Sequence, residues 1–492
     1  MRGIDLMVGG LKLPGEKTGR NPSLEKSVKK NQSRSRVSVI IAARNNERYL
    51  AETIESALQQ SIPCEVIYSD DNSIDDSLEL ARQYQSQGLT VLESPRHQGV
   101  CETRNRGAAA SSGDYLVFLD GDDIMPANYI EEHLKAMRND TPFVYGPAQA
   151  FGDFSIFWDA PEWEGSDIWR NNFVNTSAMW RRKVFEVAGR WREGIKTMWD
   201  WDLALRGSRL GVPRRSNATL KYRQHAASWS ANNREKTHDQ QEAFMPEVRK
   251  LNARVAVGSI ISGRIPKLFP AWMSAVAQAT RLLDNSSKPE LVLLDNSNDP
   301  DFRITIEKEV SRYWSTFQTI KIIPLEERVS HNHQSEEERR DAVSRFMAHA
   351  CNQLRTHMGG EIHWIIEDDI MVPIQAGADL MQALVSGWTP PNAVSGCYHN
   401  RHIPKLYVGG WWNDDASHEI TDLPADPFQV DYAGTGCLMY WDSRTPRYWS
   451  SHHAGIPAHD WNWSMELTGS GGQLLMLPQV CCQHAIDDIS FV

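Results

Sequence analysis

The sequence is poor in cysteine: it has seven in 492 residues, an odd number, and no C-x-x-C pair. That argues against a disulfide framework or a zinc ribbon and makes reduced thiols in the cytoplasm the expectation. No apolar run approaches the roughly 18 residues that cross a bilayer, and no signal-peptide pattern opens the chain, so no transmembrane segment is expected. A basic excess is also missing. The 52 Lys and Arg stand against 63 Asp and Glu, a net charge of −11 that does not suit a general nucleic-acid binder. Residues 1–36 are the exception, with nine Lys/Arg, three Asp/Glu and no apolar periodicity, the pattern of a disordered basic tail. The length exceeds one ordinary core, so two or more domains are expected.

What the chain does have is a duplicated pattern. Tyr115-Leu116-Val117-Phe118-Leu119 runs into Asp120-Gly121-Asp122-Asp123, and Ile362-His363-Trp364-Ile365-Ile366 runs into Glu367-Asp368-Asp369. Around the first, β-branched runs at Val37–Ile41, Glu65–Tyr68 and Thr90–Leu92 alternate with helical spacing such as Leu50, Ile54 and Leu58. The second half restarts with strands at Val255–Ile261 and Leu291–Leu294, the latter ending at Asp295, and a helix over about Glu337–Arg355. Alternating strand and helix is the pattern of an α/β fold with a mostly parallel sheet, in which ligands bind beyond the strands' carboxyl ends. The division predicted is a tail at 1–36, a first domain at 37–230, a linker at 231–253 and a second, similar domain at 254–492.

Aspartates two apart on a turn at a strand end can place two carboxylates beside one hard cation, Mn²⁺ or Mg²⁺, which in turn can hold a diphosphate. Alone, such a cluster is equally a solvated turn. The stretches VSVIIAARNNERYLAETIESALQQ, VIYSDDNSIDDS, TRNRGAAASSGDYLVFLDGDD and MWDWDLALR, in that order, remove much of the ambiguity. Over nearly all of residues 37–230 the chain resembles a family-2 glycosyltransferase with the GT-A (Rossmann-like) fold.

The resemblance implies roles residue by residue. Asp71 reads the nucleotide base, typically uracil, with Arg44 near base and ribose. Arg104 meets the diphosphate, and Asp120 and Asp122 match the DxD motif for ribose and metal. Asp200 matches the base of inverting members, although Trp199 stands where the family usually has Glu. His225 matches a histidine found near metal or diphosphate. Spacing alone does not choose Asp200 over Asp202, which is expected to be structural. The second half resembles the fold more weakly: Asp295 takes the place of Asp71, Glu367 and Asp369 that of the DxD, Asp460 that of Asp200, and His484 that of His225. Cys351 stands where Arg104 is expected, with Arg345 on the same helix as the nearest alternative.

Tryptophan is abundant, at 18 residues. Trp158, Trp163 and Trp169 follow the first acidic cluster and Trp411-Trp412 the second, so these segments are expected to face the acceptor. The activity implied is metal-dependent inverting transfer from a nucleotide-sugar, typically a UDP-sugar, to a glycan or other hydroxyl acceptor, with a second transferase site making the protein bifunctional. The alternatives are a phage-type enzyme acting on hydroxymethylated bases in modified DNA, a second domain that is a non-catalytic glycan-binding or scaffold module, and a nucleotidyltransferase.

Overall fold

Every residue of strand β1 (Val37–Ala43) is buried, as a β-branched run must be when helices cover both faces of its sheet. The computed structural model describes residues 36–163, 167–195, 197–226, 244–283, 287–325, 335–387, 389–399, 407–413, 416–446, 449 and 459–485. The basic tail, apart from Arg36, and residues 231–243 of the predicted linker lie outside them.

After β1 come α1 (Glu47–Leu58), β2 (Glu65–Asp70), α2 (Ser77–Gln83), β3 (Leu89–Leu92), α3 (Val100–Ala110) and β4 (Tyr115–Asp120). Helix α1 buries Leu50, Thr53, Ile54 and Ala57, the single stripe that its sequence spacing requires. Then follow α4 (Tyr129–Ala136), β5 (Phe143–Tyr145), β6 (Ala148–Gly152), β7 (Ile156–Trp158), β8 (Met179–Arg181), α5 (Arg182–Val187), α6 (Trp199–Gly207), β9 (Arg214–Arg215) and β10 (Leu220–Gln224). The first sheet has the order β3-β2-β1-β4-β8-β5-β9, and β6, β7 and β10 form a small second sheet beside it. Strands β1 to β4 are parallel, whereas β8 runs antiparallel to β4, so the sheet is mixed.

The C-terminal half opens with β11 (Val255–Ile261), α7 (Phe269–Arg281), β12 (Glu290–Asp295), α8 (Pro300–Ser311), β13 (Thr319–Pro324), α9 (Glu336–His357) and β14 (Ile362–Ile366). It continues through β15 (Ile370–Met371), α10 (Ala376–Val385), β16 (Ala393–Cys397), β17 (Tyr407–Asn413), β18 (Ala416–Ile420), β19 (Phe428–Gln429), β20 (Tyr432–Ala433), β21 (Cys437–Trp441), α11 (His459–Gly469), β22 (Leu474–Cys481) and β23 (Gln483–His484). Its main sheet, β13-β12-β11-β14-β21-β16-β22-β19, again has four parallel strands followed by an antiparallel one.

The two sheets do not have separate interiors. One apolar cluster contains Ile40, Phe118 and Trp201 together with Val257, Trp364 and Trp441. Trp169 packs on Trp441 with ring centroids 5.1 Å apart, and Arg209 pairs with Glu361 at 3.0 Å. Residues 244–252 are helical and bury Met245, Val248, Arg249 and Asn252 between the halves. This stretch of the expected linker is therefore packed core.

Candidate active site

Pairing of Ala43 with Asp70 and of Ala42 with Asp120 ends β1, β2 and β4 at one level, so their acidic ends open onto the same edge of the sheet. A cleft of about 1360 Å³ lies there, lined by Arg44, Asp71, Arg104, Asp120, Asp122, Asp200 and His225 among others. Two close approaches shape it. A Cβ on Gly107 would lie 2.3 Å from Ile40 Cγ2, so only glycine lets α3 sit this near β1 and carry Arg104 to the cleft. A Cβ on Gly121 would lie 2.4 Å from Ala43 Cβ, which is why the turn between Asp120 and Asp122 can fold against the end of β1.

The Asp71 carboxylate accepts the backbone N–H groups of Gln98 (2.7 Å) and Gly99 (3.0 Å), and it meets His97 Nδ1 at 2.7 Å. It thereby fastens the loop that starts α3. Arg104 is buried, donates to Asp120 Oδ1 at 2.6 Å, and lays its guanidinium 4.6 Å from the centroid of the Trp191 ring. Its Nε and Nη1 have no hydrogen-bond partner among the described residues. Buried donors without acceptors are rare in native proteins and suit a site that receives an anion.

Asp122 meets His225 Nε2 at 2.9 Å across the cleft floor. Burial, and then the neighbouring Asp120 charge, raise the Asp122 carboxyl above the ordinary aspartate range. Asp123 also borders the cleft; it is buried, accepts Arg223 N at 2.8 Å, which holds the turn, and is pushed well up by burial. Among the described residues, no three His, Cys, Asp or Glu side chains are gathered as a ready metal site.

Asp200 stands in the first turn of α6, after Met198 in a left-handed conformation (φ 58°). Backbone strain of this kind persists where the surroundings over-determine it, commonly at functional turns. Asp200 Oδ1 accepts Trp201 N at 2.8 Å and Asn172 Nδ2 at 3.0 Å. Burial raises its pKa against the opposing pull of those bonds and of Arg104. Asp202 is wholly buried, paired with Arg206 and Arg192 and bonded to Asn252.

The second acidic cluster also gathers at strand ends. Glu367 accepts Thr435 Oγ1, and its carboxyl is pushed up to about 8 by burial and by Asp369. Asp368 accepts Ser262 N at 2.7 Å, and burial lifts it to about 6. Asp369 is paired with Arg264 and lies 3.5 Å from His484 Nε2, while His484 Nδ1 faces His399 O at 2.9 Å. Asp460 is in the first turn of α11, matching the place of Asp200 in α6. Asp295 is paired with Arg303 and bonded to Ser297. Burial opposes its ionisation, but these partners outweigh it and lower its pKa.

Residues 38–193 match the family model described as Glycosyl transferase family 2. The chain is 31% identical over 114 residues to glycosyltransferase GlyG of Streptococcus pneumoniae, covering 22% of this chain and 38% of GlyG. It is 30% identical over 122 residues to WfgD of Escherichia coli, a UDP-Glc:alpha-D-GlcNAc-diphosphoundecaprenol beta-1,3-glucosyltransferase, covering 24% of this chain and 48% of WfgD. The chain spans less than half the length of these curated relatives. Among solved structures, S. aureus TarS in complex with UDP-GlcNAc aligns at 17% identity and a TM-score of 0.37, over 44% of this chain and 67% of that one.

Several residues of the glycosyl transferase family 2 segment and its surroundings depart from expectation. Trp163 packs in the core against Phe143, Tyr145 and Phe173, and Trp169 is buried on Trp441, so neither faces an acceptor. Trp158 does line the cleft, edge-on to Tyr222. The side chains of Trp411 and Trp412 lie outside the described residues. Arg345 pairs with Asp341 on the exposed side of α9, so it does not replace the guanidinium missing at buried Cys351. The arginines that reach the second cluster, Arg264 and Arg303, come from after β11 and from α8. His97, Asn172 and Trp191 also escape sequence reasoning, because each meets its partner only through the tertiary fold.

Proposed function

We propose that residues 37–230 form a GT-A domain that moves a sugar from a nucleotide-sugar, a UDP-sugar, to an acceptor hydroxyl with inversion of configuration. The observation that carries this reading is the buried Arg104, with two donors unpartnered among the described residues, in the same cleft as Asp120, Asp122 and Asp200. A guanidinium fork with free N–H groups suits the oxygens of a diphosphate leaving group. Its face is held by Trp191 and one edge by Asp120, so it is oriented before the donor arrives.

Asp200 is the base. Burial raises its proton affinity, and Asn172 and Trp201 N fix one oxygen, which leaves the carboxylate aimed to take the proton of the attacking hydroxyl. The carboxylates of Asp120 and Asp122, with His225 on Asp122, fit a hard divalent cation, because a positive charge relieves the repulsion that raises Asp122. Bound there, Mn²⁺ or Mg²⁺ supplies charge stabilisation to the departing diphosphate.

The second cluster supports two readings. The contact between Asp369 and His484, with Asp460 in the first turn of α11, favours a second transferase site. The occupation of Asp369 and Asp295 by Arg264 and Arg303, and Cys351 in place of an arginine, favours a non-catalytic glycan-binding or structural module. Release of nucleotide from a panel of nucleotide-sugars with Mn²⁺ or Mg²⁺ tests both. Loss of turnover in Asp122→Ala alone assigns catalysis to the first half, and loss toward different donors in Asp122→Ala and Asp369→Ala assigns two sites. No turnover with any donor, and no metal-dependent nucleotide binding, refutes the transferase reading.

A further inference from the structure

Four of the seven cysteines, Cys397, Cys437, Cys481 and Cys482, collect on or just after the neighbouring strands β21, β16 and β22. Strand β22 runs parallel to β16, and the register shifts between Gly396 and Cys397 so that Cys397 falls opposite Cys481. The shift leaves residues 478–480 as a bulge, and Cys397 Sγ donates into it, to Pro478 O at 3.5 Å and Val480 O at 3.6 Å. Cys482 N donates to Cys397 O at 2.8 Å, which clamps the two strand ends together. Both thiols are free, and they belong to directly opposed residues of the two strands. Cys481 is exposed and Cys397 buried.

Directly opposed residues on adjacent strands have Cα atoms about 5 Å apart, inside the range of about 4.4–6.8 Å that a disulfide spans. A solvent-facing thiol opposite a buried one is also the arrangement in which an oxidised sulfur is captured by a resolving partner. We propose that Cys481 and Cys397 form a peroxide-reactive dithiol site. The Cys481 thiolate attacks the outer oxygen of a hydroperoxide, giving a sulfenic acid at Cys481 and, with one proton, the alcohol or water. Cys397 Sγ then attacks the Cys481 sulfur, the S–S bond forms and the S–O bond breaks, and the proton of the Cys397 thiol leaves with the hydroxide as water. Two thiols are oxidised and one peroxide reduced.

The position gives the bond a consequence. Cys397 precedes Tyr398 and His399, and Cys481 precedes Gln483 and His484. His399 O faces His484 Nδ1 at 2.9 Å, and Ala485 N donates to Asp369 O at 2.8 Å. A Cys397–Cys481 bond therefore ties together the two segments that hold His484 against Asp369.

The test treats the native full chain with a small excess of hydrogen peroxide, alkylates it in denaturant, and maps the thiols by peptide mass spectrometry with fragmentation. The expected result is a reducible bridge between Cys397 and Cys481, with Cys437 and Cys482 alkylated. A bridge from Cys481 to Cys482, a bridge from Cys437 to Cys482, or full alkylation of Cys397 and Cys481 after oxidation overturns the proposal. In Cys397→Ser, Cys481 is expected to stop at a sulfenic acid that dimedone traps, and an unlabelled Cys481 in the folded variant counts against the site. Where that variant does not fold, the wild-type map decides alone.

Discussion

Arg249 is fully buried between the halves and donates to carbonyl oxygens of both: Trp169 (2.9 Å) and Arg170 (3.1 Å) on one side, Val385 (2.8 Å) and Gly387 (2.6 Å) on the other. Burial pulls its pKa down to about 10, a sign of what enclosing the charge costs. In Arg249→Met the charge cost disappears, but the carbonyls of Trp169 and Val385 lose a buried donor and those of Arg170 and Gly387 a partly buried one. Each dry acceptor costs about 1 kcal/mol or more, so about 2 kcal/mol is expected. With an unfolding entropy of about 2.1 cal/mol/K per residue, that lowers Tm by about 2 °C if the chain melts as one unit and by about 4 °C if the halves melt separately. Arg249→Lys is expected to fall nearly as far, because a compact ammonium cannot reach acceptors on both sides as a planar fork does. Calorimetry and urea unfolding read the loss, and a split into two transitions is the expected signature. A loss below about 1 kcal/mol with a single unbroken transition would refute the bridging role.

Asp200→Asn should lower turnover by at least about 10²-fold while donor binding persists, and unchanged turnover removes Asp200 as base. Turnover should rise with pH as Asp200 ionises, and Asn172→Ala should move that limb to higher pH, because the Asn172 bond lowers the Asp200 pKa. An unmoved limb in kcat against pH counts against Asn172 as a positioning residue. His133 and His363 are buried, and burial pulls each pKa down to about 4. The unfolded chain therefore takes up protons first, so stability is full above pH 6.5 and falls toward pH 4, by about 3 kcal/mol per histidine. His133→Phe and His363→Phe should flatten that acid limb in urea titrations, and an unchanged slope refutes it. Gly107→Ala should cost about 2 kcal/mol by forcing α3 off Ile40, with weaker nucleotide binding as Arg104 shifts. Stability within experimental error of wild type would show that α3 has room to move.

The elements around the site were legible along the chain because each depends on local rules. Val37–Ala43 and Tyr115–Asp120 are strands because continuous β-branched and aromatic runs need both faces covered. Asp71, Asp120 and Asp200 stand out because acidic residues at strand ends and helix starts mark the ligand edge of such a sheet. The tertiary structure decided the rest. Trp163 and Trp169 read like acceptor-facing rings, yet they pack against Phe143, Tyr145 and Trp441, since a lone tryptophan carries no signal of which surface it meets. Arg264 and Arg303 reach the second cluster while Arg345 stays with Asp341, because guanidinium placement depends on which helix face turns inward. Asn172, Trp191 and the Cys397–Cys481 pairing join residues 28, 87 and 84 positions from their partners. Periodicity and spacing report on a chain's own neighbourhood over a few turns, whereas contacts over such separations exist only once strand order and register have brought the segments together.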